Sequence, residues 1–507
     1  MQFNRKKTTI KNAVWGILNR IIAIIGPFLV RTLIIYELGV DYLGLNSLFS
    51  SILQIFNMVD LGFGSAIAFC LYKPVANDDK KTICELLNKY RVIYKKVGFC
   101  ILCLGICFLP FLKLMINGQV PKDINIYLLY LMYLINSCIS YFMFSYKSVL
   151  FSAYQREDIL SKIYSFLLVL EYSAQIIILI CFKSYYLYYL IIPIITVLNN
   201  FLIYSLSNKY YKEYQPSGEI DDNLKIVIKE KMSGIVISKF CGLTRNTFDS
   251  IIISAFIGLN AVAIYSNYYY IVSNISALLV ILVNSMRAAI GNSIVTESVE
   301  KNHKDFLKFT FLYVWISCWC SICFLCLIQP FMEIWVGKEL MFSFDIVILF
   351  TIYFLGLCFG DIIDVYSGAA GLWWENRKRT IIEAILNLML NFILGKYYGV
   401  FGIILATIIS LILCNFIWKI LILYKHYFTE YNAIIYIKNY IMYVLVLLVV
   451  SIITYKVCSL VINPGIVGLV IKMLICVVLP NLLFYVVYRK NKLFIDAKIF
   501  MLGIIKK

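Results

Sequence analysis

The chain has 507 residues, 62% of them hydrophobic, 16% aromatic and 15% charged, with a mean hydropathy of +0.85. Soluble domains average about 25% charged and under half apolar residues, so the composition excludes a soluble globular protein and indicates an all-α polytopic membrane protein. The net charge of +18 would suit nucleic acid, but the cations sit in short segments between apolar runs, so no nucleic-acid partner is expected.

In chain order, fourteen apolar spans are predicted near 13–36, 44–71, 93–116, 124–150, 160–182, 185–206, 233–257, 261–290, 306–329, 344–370, 380–397, 399–424, 436–458 and 464–488. Each is near or above the ~20 residues a helix needs to cross a bilayer. The first follows Arg5, Lys6, Lys7 and Lys11 without a small-residue cleavage site, so it reads as a span and not a removable signal. With the N-terminus inside, cytoplasmic segments hold about 33 of the 46 Lys and Arg and outside loops about 6. Both termini are thus expected in the cytoplasm, with the chain multi-pass in the membrane. Asp78–Lys96 reads as an inside loop with an interfacial helix, which with 207–231 could attract anionic lipid headgroups.

Four parts are expected: a six-helix bundle over 1–206, a cytoplasmic linker over 207–231, a second six-helix bundle over 232–425, and two further helices with a basic tail over 426–507. An internal repeat supports the two bundles. With Gly39 set on Gly258, Leu38-Gly-Val-Asp41 lies on Ile257-Gly-Leu-Asn260, and Ser47, Gln54 and Asn57 lie on Ser266, Ser273 and Ser276. At an offset of 217 the loop Ser152–Arg156 lies near Ala369–Gly371. Six spans per repeat is an even number, so the halves run parallel, related by an axis along the membrane normal.

Residues 31–66 are the most informative. Gly39–Gly44 is a tight turn, and Ser47, Ser50, Gln54 and Asn57 follow on one arc of the next helix. Polar groups are costly in hydrocarbon, so this arc is expected to look into a bundle interior or a wet cavity. The pattern Leu-Gly-Val-Asp41-Tyr-Leu-Gly44-Leu, then Asp60-Leu-Gly-Phe-Gly-Ser65-Ala-Ile, resembles the first hairpin of bacterial polysaccharide transporters of the multidrug/oligosaccharidyl-lipid/polysaccharide (MOP) exporter superfamily, the O-antigen-type flippases.

The resemblance implies two six-helix bundles around a central cavity. It also implies a substrate, an oligosaccharide on undecaprenyl diphosphate, and partners among polysaccharide-assembly proteins. Central arginines would then bind the diphosphate, which by position gives Arg20, Arg31, Arg245 and Arg287. The polar residues Ser47, Ser50, Gln54, Asn57, Asn267, Asn274 and Asn284 would hydrogen-bond sugar hydroxyls.

Read from the residues alone, Arg20 and Arg31 share one face, because eleven steps nearly close three helical turns. Arg31, Arg287 and Lys147 lie near span ends, where snorkelling is the alternative. Arg245 and Asp249 are spaced to pair along one helix. The intramembrane acids Asp60, Glu171, Asp361, Asp364 and Glu383 are candidates for ion coupling; the alternative for Asp361 and Asp364 is a salt bridge to Lys147, Arg245 or Arg287. Glu375–Arg379 reads as an inside anchor, and Tyr268–Tyr270 as packing or a sugar-stacking surface.

No nucleotide-binding Gly-rich loop and no large outside loop is present, so the chain is not expected to be an enzyme. The 16 Cys lie mostly in apolar runs and only His303 and His426 are available, so neither cofactor nor metal is expected. A flippase working by alternating access is the reading favoured. A multidrug/cation antiporter of the same superfamily is the alternative, separated from it by the sign of charge in the cavity.

Overall fold

A computed structural model describes residues 5–57, 63–118, 120–221, 242, 247–463 and 465–505, and these form helices and no strand. The chain divides into two compact units, Met1–Ala263 and Ile264–Lys507.

Unit 1 begins with α1 (Arg5–Leu33), which runs through Pro27 and ends in a π turn, Ile34–Leu38. It continues with α2 (Val40–Asn57), α3 (Phe63–Ala76), α4 (Lys80–Phe108), α5 (Ile126–Phe142), α6 (Ser148–Ala153), α7 (Glu157–Phe182), α8 (Tyr185–Tyr210) and the short α9 (Thr247–Phe256). Helix α1 packs along α7, and α5 packs on both α4 and α8. Gly26 permits the first contact, since a Cβ there would lie 2.0 Å from the Tyr172 ring.

The expected interfacial helix at 78–96 is instead the first half of α4. Its Ile83, Leu86, Leu87 and Tyr90 are buried against Ile67, Leu71, Val149 and Leu150, so this apolar face is packed inside unit 1. Asp79 caps α4, accepting from the Thr82 amide (3.1 Å) and hydroxyl (2.6 Å). These bonds favour the carboxylate and hold its pKa below the ordinary value. The cap's contribution is therefore complete above the unfolded-state pKa of about 4 and is lost as pH falls through the lower folded value. Asp79→Ala is expected to speed amide exchange in the first turn of α4 at neutral pH; unchanged exchange would show the cap to be idle.

The first part of the predicted linker is docked on unit 1. The Asn88 side chain donates to the Gly218 carbonyl (2.7 Å), the Ser217 amide to Cys84 (3.3 Å), and Ile220 is buried. Residues 222–231 lie outside the described residues.

Helix α10 (Leu259–Thr296) spans the division between the units. Unit 2 contains α11 (Val299–Val336), α12 (Phe344–Phe359), α13 (Asp361–Ala369), α14 (Trp373–Ser410), a π segment Leu411–Trp418, α15 (Lys419–His426), α16 (Ala433–Ser459), α17 (Gly465–Tyr488) and α18 (Lys492–Ile505). Helix α11 is the hub, packing on α12, α16, α17 and α18.

Helix α14 reverses direction at Gly399 (φ 58°, ψ −136°). Asn387 donates to Thr407 at 3.1 Å although the two are 20 residues apart, a separation of about 30 Å along a straight helix. Trp373–His426 is therefore two crossings, as expected from 380–397 and 399–424. Ten described helices are long and apolar enough to span, and the α5–α6 pair, bent by 48°, makes eleven. Counting the α14 hairpin twice gives twelve, and the remaining two predicted spans, 44–71 and 233–257, are interrupted by undescribed residues.

The element order repeats. Gly39 (φ 118°) and Gly258 (φ 124°) each donate an amide to the carbonyl five residues back, Ile34 and Ile253, and each starts a helix on the next residue. A long helix follows in each half (α4, α11), then a broken span (α5–α6, α12–α13) and a turn with one positive-φ residue, Gln155 (φ 56°) or Gly371 (φ 74°).

Candidate functional site

Two polar regions stand out, one in each unit. In unit 1, Arg20 and Arg31 are both half-buried on α1. Tyr188 of α8, buried, is within electrostatic reach of both Arg31 of α1 and Glu171 of α7. The π turn beyond Arg31 carries Glu37, which binds Lys183 at 2.7 Å.

On α2 the apolar and polar arcs separate. Leu45, Leu48, Phe49, Ile52 and Leu53 are buried, whereas Ser50 and Gln54 are exposed and Ser47 and Asn57 half-buried. The polar stripe thus lies on the face that unit 1 leaves open, and Asn57 Oδ1 has no hydrogen-bond partner among the described residues. Lys147 does not snorkel: it is 1% exposed and donates to Asn208 (2.7 Å) and Gln215 (3.2 Å) with the Tyr204 ring at 4.7 Å.

In unit 2, α13 presents Asp361 and Asp364 one turn apart. Asp361 accepts from the Tyr313 hydroxyl of α11. Asp364 binds Lys419 of α15 at 2.7 Å, the lysine side chain 1% exposed and the carboxylate 54%. Lys419 thus takes the place beside Asp364 that the sequence offered to Lys147, Arg245 or Arg287. Gly360, at the break before α13, makes room for this pair: a Cβ there would lie 2.7 Å from Asn415 Nδ2 and 3.1 Å from Lys419 Nζ. Asn415 lies in the π segment and Lys419 directly after it, and the wider π turn changes the direction in which both project.

Beside them, Glu383 and Arg379 pair on α14 at 2.7 Å, both buried. Arg379 Nε also donates to Asn376 (3.1 Å). Arg379 is therefore a member of a buried ion pair, a partner that the reading of Glu375–Arg379 as an inside anchor did not include. Arg379, Glu383, Asn387 and Asn391 form a buried stripe down α14, and Lys419 feels both ends of the Arg379–Glu383 pair.

The other expected residues are spread along these helices. Asn267 is 1% exposed and Asn274 donates to the Tyr270 carbonyl (2.8 Å). Asn284 accepts from Arg287 (3.2 Å) at an exposed position of α10. Tyr268 is a packing residue, bonded to Gln329 (2.8 Å) and the Phe342 amide (3.2 Å). Asp249 is buried in α9. Asp60 and Arg245 lie outside the described residues.

Sequence reasoning missed Lys419, Asn387 and Asn391. A signal existed for the α14 stripe: polar residues recur there every four positions, the spacing of one helix face. Lys419 had none, because it sits at the end of an apolar run.

The fold is similar to that of several solved membrane proteins. It is similar to the lipid II flippase MurJ in an inward closed conformation, with a TM-score of 0.66 and 16% identity over 95% of this chain and 99% of that one. It is also similar to an inward-facing multidrug resistance MATE family transporter of the MOP superfamily, at TM-score 0.61 and 15% identity over 77% of this chain and 92% of that one. A third likeness is to a MOP superfamily transporter from Pyrococcus furiosus described by a reversed polarity of its binding pocket, at TM-score 0.54, 13% identity, 82% and 96%. No protein-family model matches the chain, and no curated protein sequence does.

Proposed function

We propose that this protein is a flippase that moves an undecaprenyl-diphosphate-linked oligosaccharide from the cytoplasmic to the outer leaflet for cell-surface polysaccharide synthesis, by alternating access of its two bundles. The observation that carries this reading is the pairing of two arginines inside the first span with a polar stripe on the open face of α2. A diphosphate carries about two negative charges, and guanidinium forks match phosphate oxygens while serine, asparagine and glutamine suit sugar hydroxyls. The likeness to a lipid II flippase over nearly the whole chain supports the same reading.

The acids of unit 2 suit the coupling step. Asp364 is held by Lys419, and a proton or cation that released this pair would change how α13 and α15 sit together. A cation antiporter is the second reading, and these same carboxylates favour it.

Proteoliposomes with a fluorescent polyprenyl-diphosphate oligosaccharide test the proposal by its accessibility in each leaflet. Wild type is expected to flip it. Arg20→Ala is expected to slow flipping about tenfold to a hundredfold, the ~1.5–3 kcal/mol of a hydrogen bond to a charged group, with its unfolding midpoint preserved. Efflux of organic cations without flipping would replace the flippase by the antiporter.

A further inference from the structure

Cys326 of α11, Cys458 of α16 and Cys476 of α17 are buried, and their three Sγ atoms lie within 4.8 Å of one another. Cys458 and Cys476 Sγ are 3.8 Å apart. Two thiolates bound to one ion at about 2.3 Å, in trigonal or tetrahedral geometry, hold their sulfurs about 3.8–4.0 Å apart, whereas a disulfide needs about 2.05 Å. We propose that these three cysteines form a thiolate site for a thiophilic d10 metal ion, Cu⁺ or Zn²⁺, which fastens the α16–α17 hairpin to α11. The proposal is independent of the transported substrate.

Three further observations fit it. The protein's own hydrogen bonds position the site: the Cys476 carbonyl accepts from Trp319 Nε1 at 2.8 Å and from Cys323 Sγ at 3.8 Å, holding α17 on α11 at this level. The donors are all sulfur, with no imidazole or carboxylate in the group, which selects soft ions over Mg²⁺ or Ca²⁺. Lys472, one turn before Cys476, is within electrostatic reach of Cys458. Its ammonium and a divalent ion together balance three thiolates, and a monovalent ion leaves a single negative charge, which reduces the cost of charge in an apolar site. Binding exchanges three thiol protons for one ion, with three metal–sulfur bonds formed and no electron transferred, so affinity rises with pH. Copper is therefore taken up as Cu⁺.

The full chain, purified in detergent, reduced and stripped of metal, would be titrated with Zn²⁺ or Cu⁺ against a competing chelator. Bound thiols would be mapped by alkylation and mass spectrometry. Wild type is expected to retain one equivalent that the Cys326→Ala/Cys458→Ala/Cys476→Ala protein loses, and the metal is expected to raise the unfolding midpoint of wild type alone. Mapping on wild type needs no variant: Cys326, Cys458 and Cys476 should become protected together. Retention by neither protein, equal retention by both, protection of other thiols only, or a Cys458–Cys476 disulfide in the unreduced protein would each overturn the proposal.

Discussion

Asp364→Ala is expected to destabilise unit 2 by about 3 kcal/mol, and Lys419→Met by about 1 kcal/mol or less, although the two substitutions break the same 2.7 Å contact. The asymmetry follows from burial. Removing the carboxylate strands an ammonium that is 1% exposed, whereas removing the lysine leaves a carboxylate that is 54% exposed. Stranding a buried charge costs about 3–5 kcal/mol, and exchanging it for a well-packed apolar side chain is often neutral. The lower end is expected here because Arg379 and Glu383, the other charges acting on Lys419, oppose each other. The double variant Asp364→Ala/Lys419→Met should then be more stable than Asp364→Ala alone, which is the signature of coupling. Chemical denaturation in micelles measures all four proteins. Equal single effects that add in the double variant would mean that the pair contributes nothing as a pair.

This pair also marks how far the sequence could be read. Spans, turns and the repeat were legible because they are local. An unbroken apolar run of about 20 residues is the length of a bilayer crossing and longer than most helices of soluble domains, and Gly39 and Gly258 each hold a positive φ that other L-residues avoid. The polar arc of α2 was legible too, since 3.6-residue periodicity places Ser47, Ser50, Gln54 and Asn57 together without knowledge of any neighbour. What faces what was not. Asp361 and Asp364 were visible as intramembrane acids, but their partners Tyr313 and Lys419 come from elements 48 and 55 positions away. A π segment intervenes before Lys419, so a 3.6-period reading carried through Leu411–Trp418 misassigns its face. The α14 hairpin hid its own network in the same way. The reversal at Gly399 brings Asn387 to Thr407 and Ser410 and brings Arg379 to the Cys414 carbonyl, so that Arg379, alone among the charged residues of Glu375–Arg379, is buried.

Gly44→Ala is expected to cost about 3 kcal/mol, the upper end for an added methyl group in a packed site. A Cβ at Gly44 would sit 2.3 Å from the Leu259 carbonyl oxygen and 2.8 Å from its carbon. Both are backbone atoms, so no rotamer change relieves the overlap. Leu259 is also poorly placed to retreat. It follows Gly258, whose own position is set by a φ of 124° and by Asn117, whose carbonyl oxygen would lie 2.8 Å from a Cβ there. Asn117 is in turn tied to the preceding helix, its amide donating to Ser254 at 3.0 Å and its side chain to Phe256 at 2.9 Å. The added methyl must therefore move α2 as a body, together with the polar stripe that begins one turn later at Ser47. Gly64→Ala is the matched control. Its Cβ would meet only the hydroxyl end of Tyr90, at 2.7 Å; that ring is buried and its hydroxyl donates to Tyr94 at 2.9 Å, so a small shift of the ring is required and about 1 kcal/mol is expected, less than against backbone. Thermal unfolding in micelles compares the two. If Gly44→Ala were no worse than Gly64→Ala, the contact between the start of α2 and Leu259 would not fix the position of the polar stripe, and another contact of α2 would have to do so.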